Sequence, residues 1–304
     1  FSGYEFDYII SNPPFGIDWK REKTQVESEA KRGFDGRFGP GLPAISDGQM
    51  LFLLNGVRKL KTGSGRMAII QNGSSLFTGD AGSGASEIRR YVIEGDLVEA
   101  IIQMPTDLFY NTGISTYIWV LTKGKTMQRS GRVQLIDASK CYVKRRKNIG
   151  NKRVDLDDAC IRLILRAYEG FADETCEDNG LIVESKVFDN RFFGFTKVTV
   201  ETAQTDEHGK PVLKKGKKQP VKGASDTEII PLSEDIDAYM EKNVLPYNPL
   251  AYIDHAKDKI GYEVPFTRLF YQFVPPTPSD EIFAEIKELE AEEAVLMKEL
   301  FGNA

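Results

Sequence analysis

The sequence is poor in the residues that most often carry protons and bind metals. Among 304 residues there are two His, His208 and His255, and three Cys, Cys141, Cys160 and Cys176. The cysteines form no C-x-x-C pair and are odd in number. With two His they cannot assemble a zinc-type ligand set, so no metal site is predicted and reduced structural thiols are expected. His208 lies in a polar stretch and His255 in a charged one, which argues against acid–base catalysis by His. Long apolar runs are lacking as well. None approaches the roughly 18 residues that span a bilayer, so no membrane partner is expected. No signal peptide precedes the first strand-like segment, and a cytoplasmic location is the default expectation.

What remains is an ordinary globular mixture. Hydrophobic residues make up 41% and charged residues 28%, which disfavours global disorder and collagen-like repeats. The length is comfortable for two domains. Charge is unevenly spread. Residues 1–150 hold 21 Lys and Arg against 15 Asp and Glu, whereas residues 151–304 hold 19 against 30. The basic half suits a polyanionic ligand, and the acidic half suits a solvated or partner-facing surface.

Residues 4–11 read as a short strand, buried on both faces at its C-terminal end. Residues 20–48 are polar and Gly-rich, as in a long surface loop. Residues 50–60 carry apolar positions at helical spacing, with Gly63 and Gly65 beyond them. Strands are expected at 66–70, 98–103, 115–121 and 133–137, with a helix at 87–93 between the first two. This alternation predicts an α/β domain with a mainly parallel sheet. The texture then changes. A basic cluster, Lys144-Arg145-Arg146-Lys147, is followed by an amphipathic helix at 156–171 with acids in its first turn. A strand is expected at 192–200, a mobile Lys-rich loop at 203–226, and a helix from Ile236. Thr277-Pro278-Ser279-Asp280 is a helix start, with Thr277 capping and Pro278 first in the helix. The apolar positions Ile282, Ile286, Leu289, Leu296 and Leu300 then make an imperfect heptad stripe interrupted by Glu293. It suits a partner helix, or packing back onto the chain's own domain.

The informative motif is Asn12-Pro13-Pro14-Phe15, directly after the first strand. Two prolines cannot continue a central strand, so the backbone must turn. At the carboxyl end of a strand in an open α/β sheet such a turn lines the ligand crevice. The Asn12 side-chain carbonyl and the Pro13 backbone carbonyl can each accept one N–H of an amino group. Pro14 stiffens the turn, and Phe15 offers a flat face for stacking. The set suits the exocyclic amine of a flipped base. That amine is a poor nucleophile, because its lone pair is delocalised into the ring. Two acceptors return electron density to nitrogen, so that it can attack a sulfonium methyl in line by positioning and fixed dipoles. A strand-ending turn in which Asn merely caps is the bland alternative.

With these residues the chain resembles the methylation subunit of type I restriction–modification enzymes, a family of N6-adenine DNA methyltransferases. The resemblance extends through Asp47-Gly48-Gln49 and residues 65–73, 88–93, 97–102, 108–114 and 116–121, and returns at 259–268. The family usually has Pro where this chain has Gln71. The resemblance implies a Rossmann-like class I S-adenosylmethionine-dependent methyltransferase fold with a mixed α+β C-terminal extension and a terminal helix. It implies S-adenosylmethionine as cofactor of the full-length protein. DNA and a specificity subunit are the implied partners, with the restriction subunit a further candidate. Asn12, Pro13, Pro14 and Phe15 would then be catalytic, and Lys144, Arg145, Arg146 and Lys147 would be candidate DNA contacts.

The family's cofactor turn follows the first sheet strand, but only eleven residues precede Asn12. The strand ending at Ser11 is therefore expected to be about the fourth of seven. On the order of 100 residues, three strand–helix units, are expected before Phe1. Residues 79–84, a polar Gly-rich turn before a helix, are a weak substitute as an anion nest. The expected organisation is 1–140 for the rest of the catalytic domain, 141–275 for an extension, and 276–304 for a partner-binding helix. By itself such a chain could also be an inactive interaction module for a specificity subunit. Asn-Pro-Pro-aromatic turns also serve methyltransferases of RNA and of protein glutamine, which keeps those acceptors open.

Overall fold

The computed structural model describes residues 3–273 and 275–302. Its first part alternates strands and helices: β1 (Tyr8–Ser11), α1 (Lys23–Ala30), α2 (Gln49–Lys59), β2 (Arg66–Asn72), α3 (Ser74–Phe77), α4 (Gly84–Glu94), β3 (Val98–Gln103), β4 (Thr116–Thr122) and β5 (Arg132–Asp137). A hairpin of β6 (Val143–Ile149) and β7 (Lys152–Asp155) follows, then α5 (Asp158–Gly170), β8 (Glu174–Asp178) and β9 (Leu181–Asp189). The central sheet has the order β1-β2-β4-β3-β5-β9-β8.

This sheet is mixed, not mainly parallel as the alternation suggested. β1 and β2 are parallel, as are β3 and β5, whereas β4 runs antiparallel to both β2 and β3. The connections explain it. Helix α2 carries the chain from β1 over to β2, but residues 104–115 join β3 to β4 without a helix. A connection of that kind returns the strand antiparallel. β1 is also less buried than its sequence suggested. Among the described residues it pairs with β2 alone, and Tyr8 and Ile10 are 76% and 91% exposed.

Helices cover the sheet on both faces in the way their apolar spacing requires. α2 buries Met50, Leu51, Leu53, Leu54 and Val57. Gly56 lets it approach β2 closely, since a Cβ there would lie 2.4 Å from the Met67 sulfur. α5 packs Cys160, Leu163, Ile164 and Ala167 against Ile136, Cys176 and Val183. All three cysteines are free and buried in that core, as expected for structural thiols.

Three stretches differ from their sequence reading. The polar segment 20–48 is not an open loop but contains α1 and the buried Phe38, and the buried Trp19 stands directly before it. Arg37 holds it closed by a two-pronged pair with Glu29, at 2.7 and 2.5 Å, and a 3.1 Å bond to Asn55. The boundary expected at residue 140 falls inside the central sheet, because β9 pairs with β5 from Arg132↔Asp189 to Asp137↔Glu184. The stretch 203–226 is hydrogen-bonded β structure rather than a mobile loop. It lies within a run formed by β10 (Gly194–Ala203), β11 (Leu213–Lys214), β12 (Lys217–Lys218) and β13 (Pro220–Pro231). β10 pairs with β13 along one edge, and β14 (Ala251–Ile253) and β15 (Lys259–Tyr262) share its other edge. α6 (Ile236–Asn243) covers this second sheet through Met240.

Residues up to Phe266 form one compact unit, and a second starts at Thr267. The second holds most of α7 (Phe266–Phe270) and the 23-residue α8 (Ser279–Phe301). α8 begins one residue later than the sequence suggested, with Pro278 at its N-cap and Asp280 and Glu281 in its first turn. Acids there suit the helix dipole. No residue of α8 is buried. Ile282, Ile286, Leu289, Leu296 and Leu300 are all exposed.

Candidate active site

β1 delivers Asn12 to the carboxyl end of the sheet, beside its parallel neighbour β2, with Ser11 in register with Ile69. The chain leaves the sheet there, as two prolines require. Pro13 is buried, Phe15 is half-buried, and Asn12 and Pro14 are exposed. Gly16 has φ +64°, a conformation that favours glycine, so the turn closes directly after the aromatic ring.

A short strap fixes the far side of this turn. Ile17 O accepts from Gly48 N at 2.9 Å, and Trp19 N donates to Ile45 O at 3.0 Å. The indole of Trp19, 6% exposed, donates Nε1 to Ala44 O at 3.0 Å. Residues 17–19 are therefore stitched to 44–48.

That strap ends in a buried polar cluster. Gln49, the first residue of α2, is 2% exposed. Its Nε2 lies 2.6 Å from Asp47 Oδ2, 2.7 Å from Asn72 Oδ1 and 2.6 Å from Ser74 Oγ. Its Oε1 accepts from Asn72 N at 3.1 Å. Ser74 Oγ lies within donating reach of Asp47 Oδ2 and Asn72 Oδ1, at 2.9 and 2.6 Å. The amide has two protons and the hydroxyl one, and the two acceptor oxygens, each able to accept twice, have room for all three. Gln71, where the resembled family usually has Pro, donates Nε2 to Gln49 O at 3.2 Å. A proline could not make that bond. The end of β2, the start of α2 and the strap behind Asn12 thus form one hydrogen-bonded block. The sequence had marked Asp47, Gln49 and Asn72 only by resemblance. The signal for their contact was two polar residues bounding apolar runs, one at a helix start and one at a strand end.

The other predicted residues lie elsewhere. Lys144, Arg145, Arg146 and Lys147 are on β6 of the β6–β7 hairpin. Lys144, Arg146 and Lys147 are exposed, while Arg145 pairs with Asp155 and Lys152 joins the same carboxylate at 2.8 Å. The hairpin rests on the loop before β4, with Arg153 N bonded to Asp107 O at 2.9 Å and Asn151 N to Tyr110 O at 3.0 Å. A cavity of about 370 Å³ opens behind the strap. It is lined by Trp19, Phe38, Leu51 and Phe52, among others, but not by Asn12 to Phe15.

The turn 79–84 does not fit an anion or a cofactor. Its three central amides are already used: Ala81 N bonds Asp80 Oδ1 at 2.9 Å, Gly82 N bonds Ile260 O at 3.1 Å, and Ser83 N bonds Asp80 O at 2.9 Å. The Asp80 carboxylate occupies the turn itself, held below its ordinary pKa chiefly by Lys197. Gly84 packs against the Leu42 backbone so closely that a Cβ would meet its carbonyl oxygen at 1.8 Å. The glycines serve packing. Among the described residues no group of His, Cys, Asp and Glu is arranged to hold a metal ion, and no helix is long and apolar enough to cross a membrane.

Comparison with known proteins extends this picture. Residues 2–207 match the family described as N-6 DNA Methylase. The methylase subunit of the type I restriction enzyme MjaIX from Methanocaldococcus jannaschii is 28% identical over 200 residues, 65% of this chain and 32% of that protein. The methylase subunit of the HindI enzyme from Haemophilus influenzae is 27% identical over 215 residues, 69% of this chain and 45% of that protein. The chain spans from about a third to just under half of the length of these relatives. Among solved structures, the type I restriction-modification system methyltransferase subunit from Streptococcus thermophilus superposes with a TM-score of 0.50 at 28% identity, covering 62% of this chain and 36% of that one. The sheet and its helices are thus those of the Rossmann-like class I methyltransferase fold expected from the resemblance. The sequence match takes in the Asn-Pro-Pro-Phe turn, both ends of the polar cluster and the whole central sheet, and on that ground the chain belongs to the N-6 DNA methylase family.

Proposed function

We propose that this chain works in S-adenosylmethionine-dependent methylation of the N6 amine of an adenine flipped out of duplex DNA, as modification subunit of a type I restriction–modification system. The observation that carries the reading is the Asn12 to Phe15 turn at the carboxyl end of β1, braced through residues 17–19 and 44–49 against the end of β2. Asn12 Oδ1 and Pro13 O accept the two protons of the amine, Phe15 stacks on the ring, and Pro14 keeps the turn stiff. S-adenosylmethionine, when bound, supplies the methyl group. The Gly-rich turn at 79–84 does not fit it. Lys144, Arg146 and Lys147 are proposed phosphate contacts, with Arg145 held by Asp155 and contributing less. The exposed stripe of α8 is proposed to dock on a specificity subunit.

The acceptor is tested by supplying methyl-labelled S-adenosylmethionine with duplex DNA, RNA and protein in parallel. N6-methyladenine in the DNA is the expected product. Label confined to RNA or to protein glutamine would overturn the DNA reading. The turn 79–84 being closed to a cofactor favours a second reading for the chain by itself, an interaction module without activity. Calorimetry separates the two, since micromolar binding of S-adenosylmethionine by these 304 residues excludes the inactive module.

A further inference from the structure

The Lys-rich stretch that closes the second sheet has a structure its sequence did not suggest. Leu213-Lys214-Lys215-Gly216-Lys217-Lys218 folds into a two-residue hairpin, with Lys215 at φ +51° and Gly216 at φ +76°. Positive φ at both central residues is the pattern of a tight turn that matches strand twist. The tip is tied into the sheet. Val212 N bonds Gln204 O at 2.8 Å, Gln219 N bonds Val212 O at 3.0 Å, and Gln204 N bonds Gln219 O at 2.8 Å. Tyr252 anchors its base by donating to Lys218 O at 3.2 Å, and the Lys218 ammonium sits 5.3 Å from the Tyr252 ring centre. The result is an ordered arm whose residues 204–218 are all exposed.

The charges on this arm are arranged against its own stability. Lys214 stands directly opposite Lys217 in the ladder, a cross-strand pairing of like charges that destabilises a hairpin. Lys215 adds a third ammonium in the turn and adopts a backbone conformation that side chains disfavour. Among the described residues no ion pair includes Lys210, Lys214, Lys215, Lys217, Lys218 or Lys222. The lysines nearer the body of the sheet differ: Lys197 pairs with Asp80 and Lys257 with Glu201. The β6 cluster is itself partly neutralised by Asp155. The acids of the arm, Asp206 and Glu207, lie at its other turn, where Asp206 caps His208 N and Lys210 N at 2.9 Å each. Four cations without an anionic partner thus stand together on an exposed two-stranded tip, with Lys218 over the Tyr252 ring.

We infer that this arm, with Lys214, Lys215, Lys217 and Lys218 at its tip, is a contact for the phosphate backbone of duplex DNA. The inference rests on the reading of the chain as a DNA-modifying subunit and adds to it a surface separate from the Asn12 turn and from β6. A two-stranded ribbon fits the major groove, whose walls are phosphates. Lys at each of the four positions suits backbone contact, which positions a protein without reading sequence. Each such contact releases counterions and so steepens the salt dependence of binding by about 0.9.

The test measures binding of the chain to a labelled 30-base-pair duplex by anisotropy across a series of KCl concentrations. The variant K214Q/K215Q/K217Q/K218Q is expected to bind about 10- to 100-fold more weakly at low salt, with a log–log slope shallower by about 2 to 4. K214R/K215R/K217R/K218R is expected to keep the wild-type slope. Because like-charge opposition is relieved, the Gln variant is expected to melt no lower than wild type, which separates lost contact from lost fold. A slope unchanged by the Gln substitutions, or no measurable duplex binding by the wild-type chain, overturns the inference. Methyl transfer to DNA is read separately. A wild type that methylates DNA, with binding indifferent to the arm, removes the arm and leaves the methyltransferase reading standing.

Discussion

Gln49 shows how a single side chain can hold a site it does not touch. It is buried, and its amide joins Asp47, Asn72 and Ser74. Replacement by Leu keeps much of the volume but leaves the Asn72 N–H without its partner and Asp47 Oδ2 with Ser74 alone. Such groups cost about 1–3 kcal/mol each when stranded. Gln49→Leu is therefore expected to lose about 2 kcal/mol or more in urea denaturation, and to lower methyl transfer through a loosened turn. Arg89 poses a related case. Its guanidinium is 1% exposed and donates to three backbone carbonyls, Tyr262 O at 2.6 Å, Ser75 O at 3.2 Å and Thr78 O at 3.0 Å. Burial pulls its pKa down to about 10, with Glu263 opposing. Arg89→Met strands those carbonyls and is expected to cost about 3 kcal/mol or more. Lys cannot replace the fork and is expected not to restore stability. The thiols make a third prediction. Burial pushes Cys141 up to about 12 and raises Cys160 and Cys176 as well. Native protein at pH 8 is expected to react with a thiol reagent only as fast as it opens, and prompt labelling of three thiols would contradict the packing.

At the scale of elements, the clasp between Glu29 of α1 and Arg37 in the segment that follows it carries a pH dependence. The Arg37 side chain hydrogen-bonds Glu29 and lowers its pKa from 4.5 to about 2. A carboxylate depressed in the folded state stabilises above its unfolded pKa, and that contribution is lost as pH falls through the folded value. The window is thus pH 4.5 down to about 2. Glu29→Gln is expected to flatten the acid dependence of melting within this window and not above it. The same clasp explains why residues 20–48 could not be read from sequence. Glu29 and Arg37 lie eight residues apart on no common helix face, so no periodic pattern announces their pairing. The order of the arm at 204–219 is illegible for another reason, because its composition is that of a disordered tract and its order comes from backbone bonds among Gln204, Val212 and Gln219 and from Tyr252, far along the chain. α2, α4 and β2 to β5 were legible because apolar spacing alone defines them.

For the molecule as a whole, the alternation of strands and helices was legible but strand direction was not. Direction depends on whether a connection holds a helix, and the helix-free segment 104–115 is what turns β4 around. The charge contrast between halves was visible in the sequence, yet its placement was not. The acidic second half contains the arm with the least compensated cations, while the basic first half neutralises many of its own, as at Glu29 with Arg37 and Glu99 with Arg66. The motif itself needed no structure to be found. What the fold adds is the bracing, from Asn12 through Trp19 and Gln49 to Asn72, that gives a stiff turn a fixed place at the edge of the sheet.

The central claim is that Asn12 presents the amine that is methylated. Single-turnover transfer of labelled methyl from S-adenosylmethionine to duplex DNA, compared for wild type and Asn12→Ala in the complete methyltransferase subunit, tests it most directly. The expected result is a rate at least about 100-fold lower for the variant, with DNA affinity and melting temperature little changed. A variant that transfers methyl groups at the wild-type rate would contradict the account.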